Sequence, residues 1–213
     1  HGDGRDRGDR APRKRALMDA KLAALLDELH AAGQAHDAAQ ADRLARRRNL
    51  EPETARLLAL LVRAAGARRV LELGTSNGYS TLWLADAVRD TGGIVTSVEL
   101  DPERTAQAQA NLARAGLQAH VELRVQDAAD ALAEAPDASL DLVFLDAERP
   151  HYAGYWPQLL RALRPGGLLA VDNVLSHAHE LEAFTALVEA ELETTVVPVG
   201  AGLRLALTPA RRT

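Results

Sequence analysis

After Gly66 the chain alternates short apolar runs with longer amphipathic stretches, and this rhythm restricts the possible folds more than any other feature. RRVLELG precedes YSTLWLADAV, GIVTSVEL precedes PERTAQAQANLARAG, and HVELRV precedes DAADALAEA. LDLVFLD then leads into YWPQLLRALRPGG, and LLAVDN into HELEAFTALVEAEL. Near-continuous Val/Leu runs suit strands covered on both faces, and the stretches between them carry apolar residues at helical spacing. Parallel neighbours need a crossover between them, so strand and helix alternating in this way predict a doubly wound α/β fold with a mostly parallel sheet. Ligands of such sheets sit beyond the carboxyl ends of the strands. The last two runs, TTVVPV and GLRLALT, are joined only through Gly-Ala-Gly and predict an antiparallel hairpin at a sheet edge.

Upstream, Leu17, Leu22, Leu25, Leu26 and Leu29 recur at helical spacing, and Leu57, Leu58, Leu60, Leu61 and Val62 form a second apolar face. Breaks are expected near Gly33 and Pro52, giving two or three N-terminal helices over 16–65. With 213 residues and 47% hydrophobic composition, residues 16–213 form a single domain whose α/β core is 66–213. Residues 1–15 read as a disordered basic leader with six Arg/Lys against three Asp, so that with a net charge of −5 for the chain the remainder carries −8. An acidic body argues against nucleic acid as the main partner. The absence of cysteine excludes disulfides, thiolate metal sites and a thiol nucleophile and suits a cytoplasmic setting. No apolar run reaches the ~20 residues that span a bilayer.

Chemistry concentrates at strand ends. DLVFLDAERPHY places Asp146 at the tip of one apolar run, and LLAVDNVL places Asp172 and Asn173 at the tip of the next. Two carboxylates and an amide oxygen are hard ligands of the kind Mg²⁺ or another divalent cation takes. VLELGTSNGYS puts Glu72 near a strand end, with Gly74 and Gly78 in the following turn. A dinucleotide fingerprint would need Gly at 76 and 79, where Ser and Tyr stand, so NAD is disfavoured. SVELDPE ends the next strand on Glu99, a carboxylate able to accept both hydroxyls of a ribose. In VQDAAD, Asp127 and Ala128 either border an adenine ring or Asp127 caps a helix, and both readings stand.

In this order, VLELGTSNGYSTLWLA, SVELDP, FLDAERPHY and PGGLLAVDNVL resemble the class I S-adenosylmethionine-dependent methyltransferases. The similarity is to their metal-dependent small-molecule branch, which includes catechol and caffeoyl-CoA O-methyltransferases. It extends over roughly residues 46–208 and implies a Rossmann-like, seven-stranded methyltransferase fold. It also implies that Asn49, Leu50, Glu72, Gly74, Thr75, Ser80, Glu99, Asp127, Ala128 and Asp146 hold S-adenosylmethionine. By the same resemblance Asp146, Asp172 and Asn173 bind the cation, and the acceptor is a small hydroxylated aromatic bound by a homodimeric enzyme.

Two departures from the family pattern matter. Where relatives carry a lysine often assigned as general base, this chain has Arg149, which keeps its proton at any working pH and is left an electrostatic role beside Asp146. His151, His177 and His179 are the local candidates for a replacement base, imidazole being suited to proton transfer near neutral pH, and each also reads as an ordinary polar loop residue. The loop after VDNVL is short, which disfavours a caffeoyl-CoA-type acceptor. Tyr152, Tyr155 and Trp156 either wall an aromatic pocket or pack their helix on the sheet. A metal-independent methyltransferase and a cofactor-binding protein without transfer activity are the alternatives.

Overall fold

The computed structural model describes residues 18–41, 47 and 49–210, so the expected leader at 1–15 lies outside the described residues. Two helices come first, α1 (Ala20–Ala39) and α2 (Pro52–Ala64), followed by β1 (Arg69–Leu73) and α3 (Tyr79–Thr91). The alternation continues through β2 (Ile94–Glu99), α4 (Pro102–Ala115), β3 (Val121–Val125), α5 (Ala128–Glu134), β4 (Leu140–Leu145), α6 (Tyr152–Ala162), β5 (Leu163–Val171) and α7 (Glu182–Glu191). The chain closes on β6 (Glu193–Val197) and β7 (Leu203–Leu207).

The strands form one seven-stranded sheet in the order β3-β2-β1-β4-β5-β7-β6. The first five strands are mutually parallel, and β7 runs antiparallel to both β5 and β6. The expected hairpin therefore exists, with β6 at the edge and β7 inserted beside β5. The chain moves outward from β1 to β2 and β3, then returns to place β4 on the other side of β1. This reversal opens a crevice at the carboxyl ends of β1 and β4.

Strand alternation divides the core in two. Val70, Val95, Leu142, Phe144 and Ala170 face α1, α2 and α3, whereas Leu71, Leu73, Val143, Leu145 and Val171 face α5, α6 and α7. Tyr152 and Trp156 belong to the second layer, each meeting Phe184 edge-on at 5.5 and 5.7 Å between ring centroids. They pack α6 against α7 and the sheet; only Tyr155 of the three aromatics lines the crevice.

Two expected boundaries moved. The helix break near Gly33 is absent, because α1 continues to Ala39. Gly33 serves close packing instead: a Cβ there would collide with the Asn49 side-chain amide and lie 3.0 Å from its Cγ. Likewise β5 begins at Leu163, inside the stretch YWPQLLRALRPGG expected to follow the fourth strand as a helix. Gly167 N–H donates to Thr208 Oγ1 at 2.9 Å and Gly166 N–H to the Thr208 carbonyl at 3.1 Å, so long-range pairing holds the segment in the sheet. No helix among the described residues is long and apolar enough to cross a membrane.

Candidate active site

The crevice encloses a cavity of about 310 Å³. Its floor is the turn from β1 into α3. Gly74 adopts φ 105°, and a Cβ there would strike the Asp146 carbonyl oxygen and lie 2.8 Å from its carbon. Gly74 thus lets two strand ends touch, and this contact brings the turn up against Asp146. Ser76, itself at φ 49°, donates its N–H to Glu99 Oε2 at 2.8 Å. Glu99 Oε1 accepts from the N–H groups of Leu100 and Asp101 at 3.0 and 3.2 Å. Backbone donors therefore fix this carboxylate at the end of β2, facing the cavity.

Glu72 lies elsewhere than expected. Its neighbours Leu71 and Leu73 point to the α6 side, so residue 72 points to α3, beneath the turn rather than into its mouth. It is fully buried and lines no part of the cavity. Ser80 donates to Oε1 at 2.5 Å, and Thr81 and Ser97 donate to Oε2 at 2.5 and 2.6 Å. Burial pushes its carboxyl from 4.5 up to about 7 despite these three hydrogen bonds, with the Asp146 charge adding to the effect. The corrected placement makes Glu72 a buried brace whose hydroxyl partners include Ser80, which does line the cavity.

The three predicted oxygen ligands do converge. Asn173 Nδ2 donates to Asp146 Oδ1 at 3.2 Å and to Asp172 Oδ2 at 2.9 Å. Asn173 stands at φ 65°, a conformation that Asn tolerates better than most residues. Asp172 is 6% exposed and its Oδ1 is sealed without a hydrogen-bond partner among the described residues. Desolvation, and next the Asp146 charge, raise its carboxyl from 3.8 to about 8. Two adjacent carboxylates that resist joint ionisation, one with an orphaned oxygen, fit a divalent cation held by Asp146, Asp172 and the Asn173 amide oxygen. Among the described residues no three His, Cys, Asp or Glu side chains are placed to hold a metal ion, so a cation here would need the Asn173 amide oxygen as its third protein ligand.

Arg149, His151, Tyr155 and His177 also line the cavity. Arg149 is 5% exposed and donates from Nε to Glu180 Oε2 at 2.6 Å. Tyr152 O–H donates to the Ala147 carbonyl at 3.0 Å while Ala147 N–H donates back at 2.7 Å, bracing the start of this loop. His177 Nδ1 pairs with Ser176 Oγ at 2.8 Å, and His179 is exposed outside the cavity lining.

Comparison with known proteins agrees with this fold. The O-methyltransferase family profile matches residues 20–195. The chain belongs to the O-methyltransferase family. This methyltransferase is 37% identical over 172 residues to a catechol O-methyltransferase of Mycobacterium tuberculosis, covering 81% of this chain and 76% of that enzyme. It is 38% identical over 137 residues to a catechol O-methyltransferase of Niastella koreensis, covering 63% of this chain and only 62% of that enzyme's length. An O-methyltransferase from Bacillus cereus solved in complex with S-adenosylhomocysteine superposes with TM-score 0.72 at 29% identity, covering 90% and 91% of the two chains.

Of the residues expected to hold a cofactor in the methyltransferase, Asn49, Leu50, Gly74, Thr75, Ser80, Glu99, Asp127, Ala128 and Asp146 all line the cavity. Asn49 turns its amide away, donating to the Leu29 carbonyl at 3.0 Å, and so ties this wall to α1. Thr75 shares a 2.6 Å hydroxyl contact with Ser97. Asp127 Oδ1 accepts from Ala129 N–H at 2.7 Å, so it caps α5 while bordering the cavity; the two readings are compatible. Sequence reasoning missed Ser76, Tyr79 and Gln126 as wall residues. Ser76 had a usable signal, since parallel β1 and β2 bring the turn next to Glu99.

Proposed function

We propose that this protein transfers the methyl group of S-adenosylmethionine to a hydroxyl of a small aromatic with vicinal oxygens, with a divalent cation held by Asp146, Asp172 and Asn173. The observation that carries the proposal is the sealed, unpartnered Asp172 Oδ1 beside Asp146. S-adenosylmethionine supplies an activated methyl on a sulfonium: the C–S bond breaks as the C–O bond forms, and S-adenosylhomocysteine leaves. When bound, the cation would supply Lewis acidity that favours loss of the acceptor's hydroxyl proton to solvent. Glu99 offers its oxygens to the ribose, and the approach of Gly74 to Asp146 holds the donor and acceptor compartments together. Arg149 cannot take a proton and presents fixed positive charge on the acceptor side.

The test is transfer to catechol by full-length protein before and after chelation. S-adenosylmethionine binding, followed by calorimetry, survives EDTA, while transfer is lost and returns with Mg²⁺. Transfer that continues at full rate after chelation refutes the cation's part. It would favour metal-independent transfer, a reading that draws on the Asn173 amide already bridging both carboxylates.

A further inference from the structure

Arg149 carries more donor capacity than the protein uses. A guanidinium has five N–H donors in a rigid fork. Among the described residues, Nε alone has a protein acceptor, the Glu180 carboxylate. Neither Nη is among the sealed polar atoms that lack a partner, so both keep accessible surface, and Arg149 lines the cavity. Glu180 sits in the turn Ala178–Glu180 after β5, so its ion pair with Arg149 joins the loops that follow β4 and β5. The guanidinium is therefore buried and oriented through Nε, with neither Nη engaged by a protein acceptor among the described residues. His151, Tyr155 and His177 line the same cavity, Tyr155 close enough to Asp127 to feel its charge.

We propose that Arg149 is a specificity-determining residue whose Nη groups receive a carboxylate on the acceptor, so that the enzyme prefers a hydroxylated aromatic acid to a neutral catechol. This rests on the O-methyl-transfer reading above. A planar carboxylate matches the arginine fork with two parallel hydrogen bonds, an arrangement a lysine cannot make. Glu180 is the positioning residue: it occupies Nε and leaves the forward donors to the ligand. The reacting oxygen has its own partners at Asp146, Asp172 and Asn173, so the carboxylate and the hydroxyls of one ring would be held at separate places.

The experiment compares 3,4-dihydroxybenzoate with catechol as acceptors for the full-length protein with S-adenosylmethionine and Mg²⁺. The expected ratio of kcat/KM is about tenfold or more in favour of the acid, within the range of a charge-assisted pair. In Arg149→Met the ratio falls to near one, chiefly through a raised KM for the acid, and Arg149→Lys retains part of it. A wild-type ratio near one overturns the proposal. So does a ratio that Arg149→Met leaves unchanged because both acceptors lose kcat together, which would assign Arg149 to the reacting oxygen. Calorimetry with S-adenosylhomocysteine checks that the variants fold; a loss of cofactor affinity matching the loss for the acid would assign Arg149 to the cofactor's own carboxylate and overturn the proposal too. If neither acceptor is methylated, the O-methyl-transfer reading fails separately. The relative affinity of the two compounds for the complex with S-adenosylhomocysteine and Mg²⁺, with and without Arg149→Met, then decides the assignment of Arg149 by the same ratio.

Discussion

Glu72→Gln should make the protein more stable at neutral and alkaline pH, and the size of the effect follows from the burial of that side chain. In the native state the carboxyl titrates at about 7 against an ordinary value of 4.5. Because the folded value is the higher one, the contribution is fully favourable below pH 4.5 and is lost as pH rises through 7. The native state holds a proton that the unfolded chain has released, so stability falls with pH across this window. At about 1.4 kcal/mol per tenfold change in proton affinity, the full loss is about 3 kcal/mol. The group is fully buried, so solvent screening does not reduce that figure. Glutamine keeps one oxygen able to accept from Thr81 and Ser97, and its amide can donate to the Ser80 hydroxyl, which rotates to accept. Urea unfolding of both proteins from pH 5 to 9 measures the difference. Asp172, whose carboxyl is also raised, contributes to both and cancels to first order. Relative to wild type the variant gains about 3 kcal/mol on going from acid to pH 8. A pH-independent difference, or one that moves against the variant at high pH, refutes the buried-acid assignment.

Three further outcomes follow from other parts of the site. With its carboxyl at about 8, Asp172 holds a proton at pH 7, so Mg²⁺ binding there should release approaching one proton; calorimetry in buffers of different ionisation enthalpy reads it, and zero release argues against Asp172 as a ligand. Gly74→Ala should cost about 3 kcal/mol or more, because φ 105° and the Asp146 backbone leave no room for a Cβ; a loss below about 1 kcal/mol in urea unfolding would contradict that close approach. Gly33→Ala should push aside the Asn49 side chain, weakening S-adenosylhomocysteine binding about threefold to tenfold by calorimetry, and unchanged affinity would show that α1 does not set this wall.

The order of elements was legible because periodicity is local: Val/Leu runs and helical stripes announce themselves within a few residues. Asp146, Asp172, Asn173 and Glu99 were legible as well, since each stands where a strand's apolar run stops, and parallel strands deliver such ends to one edge. Gly33 and the Pro-Gly-Gly at the start of β5 misled because their partners, Asn49 and Thr208, lie far along the chain. Glu72 misled for a related reason. Sequence position placed it near the strand end, while the pleat and the hydroxyls of Ser80, Thr81 and Ser97 decided which way it faces.

By itself, then, the sequence determined the doubly wound architecture, the closing hairpin and the gathering of acids at the crevice, because these depend on pattern and strand polarity. Tertiary structure alone decided which polar groups point into the cavity and which are consumed inside the protein. It set Arg149 against Glu180, turned Asn49 toward α1, enclosed Glu72 and left one oxygen of Asp172 without a partner among the described residues. The physical reason is that burial and hydrogen-bond pairing depend on neighbours distant in the chain, and those neighbours set both the charge state of an acid and the direction in which a side chain can act.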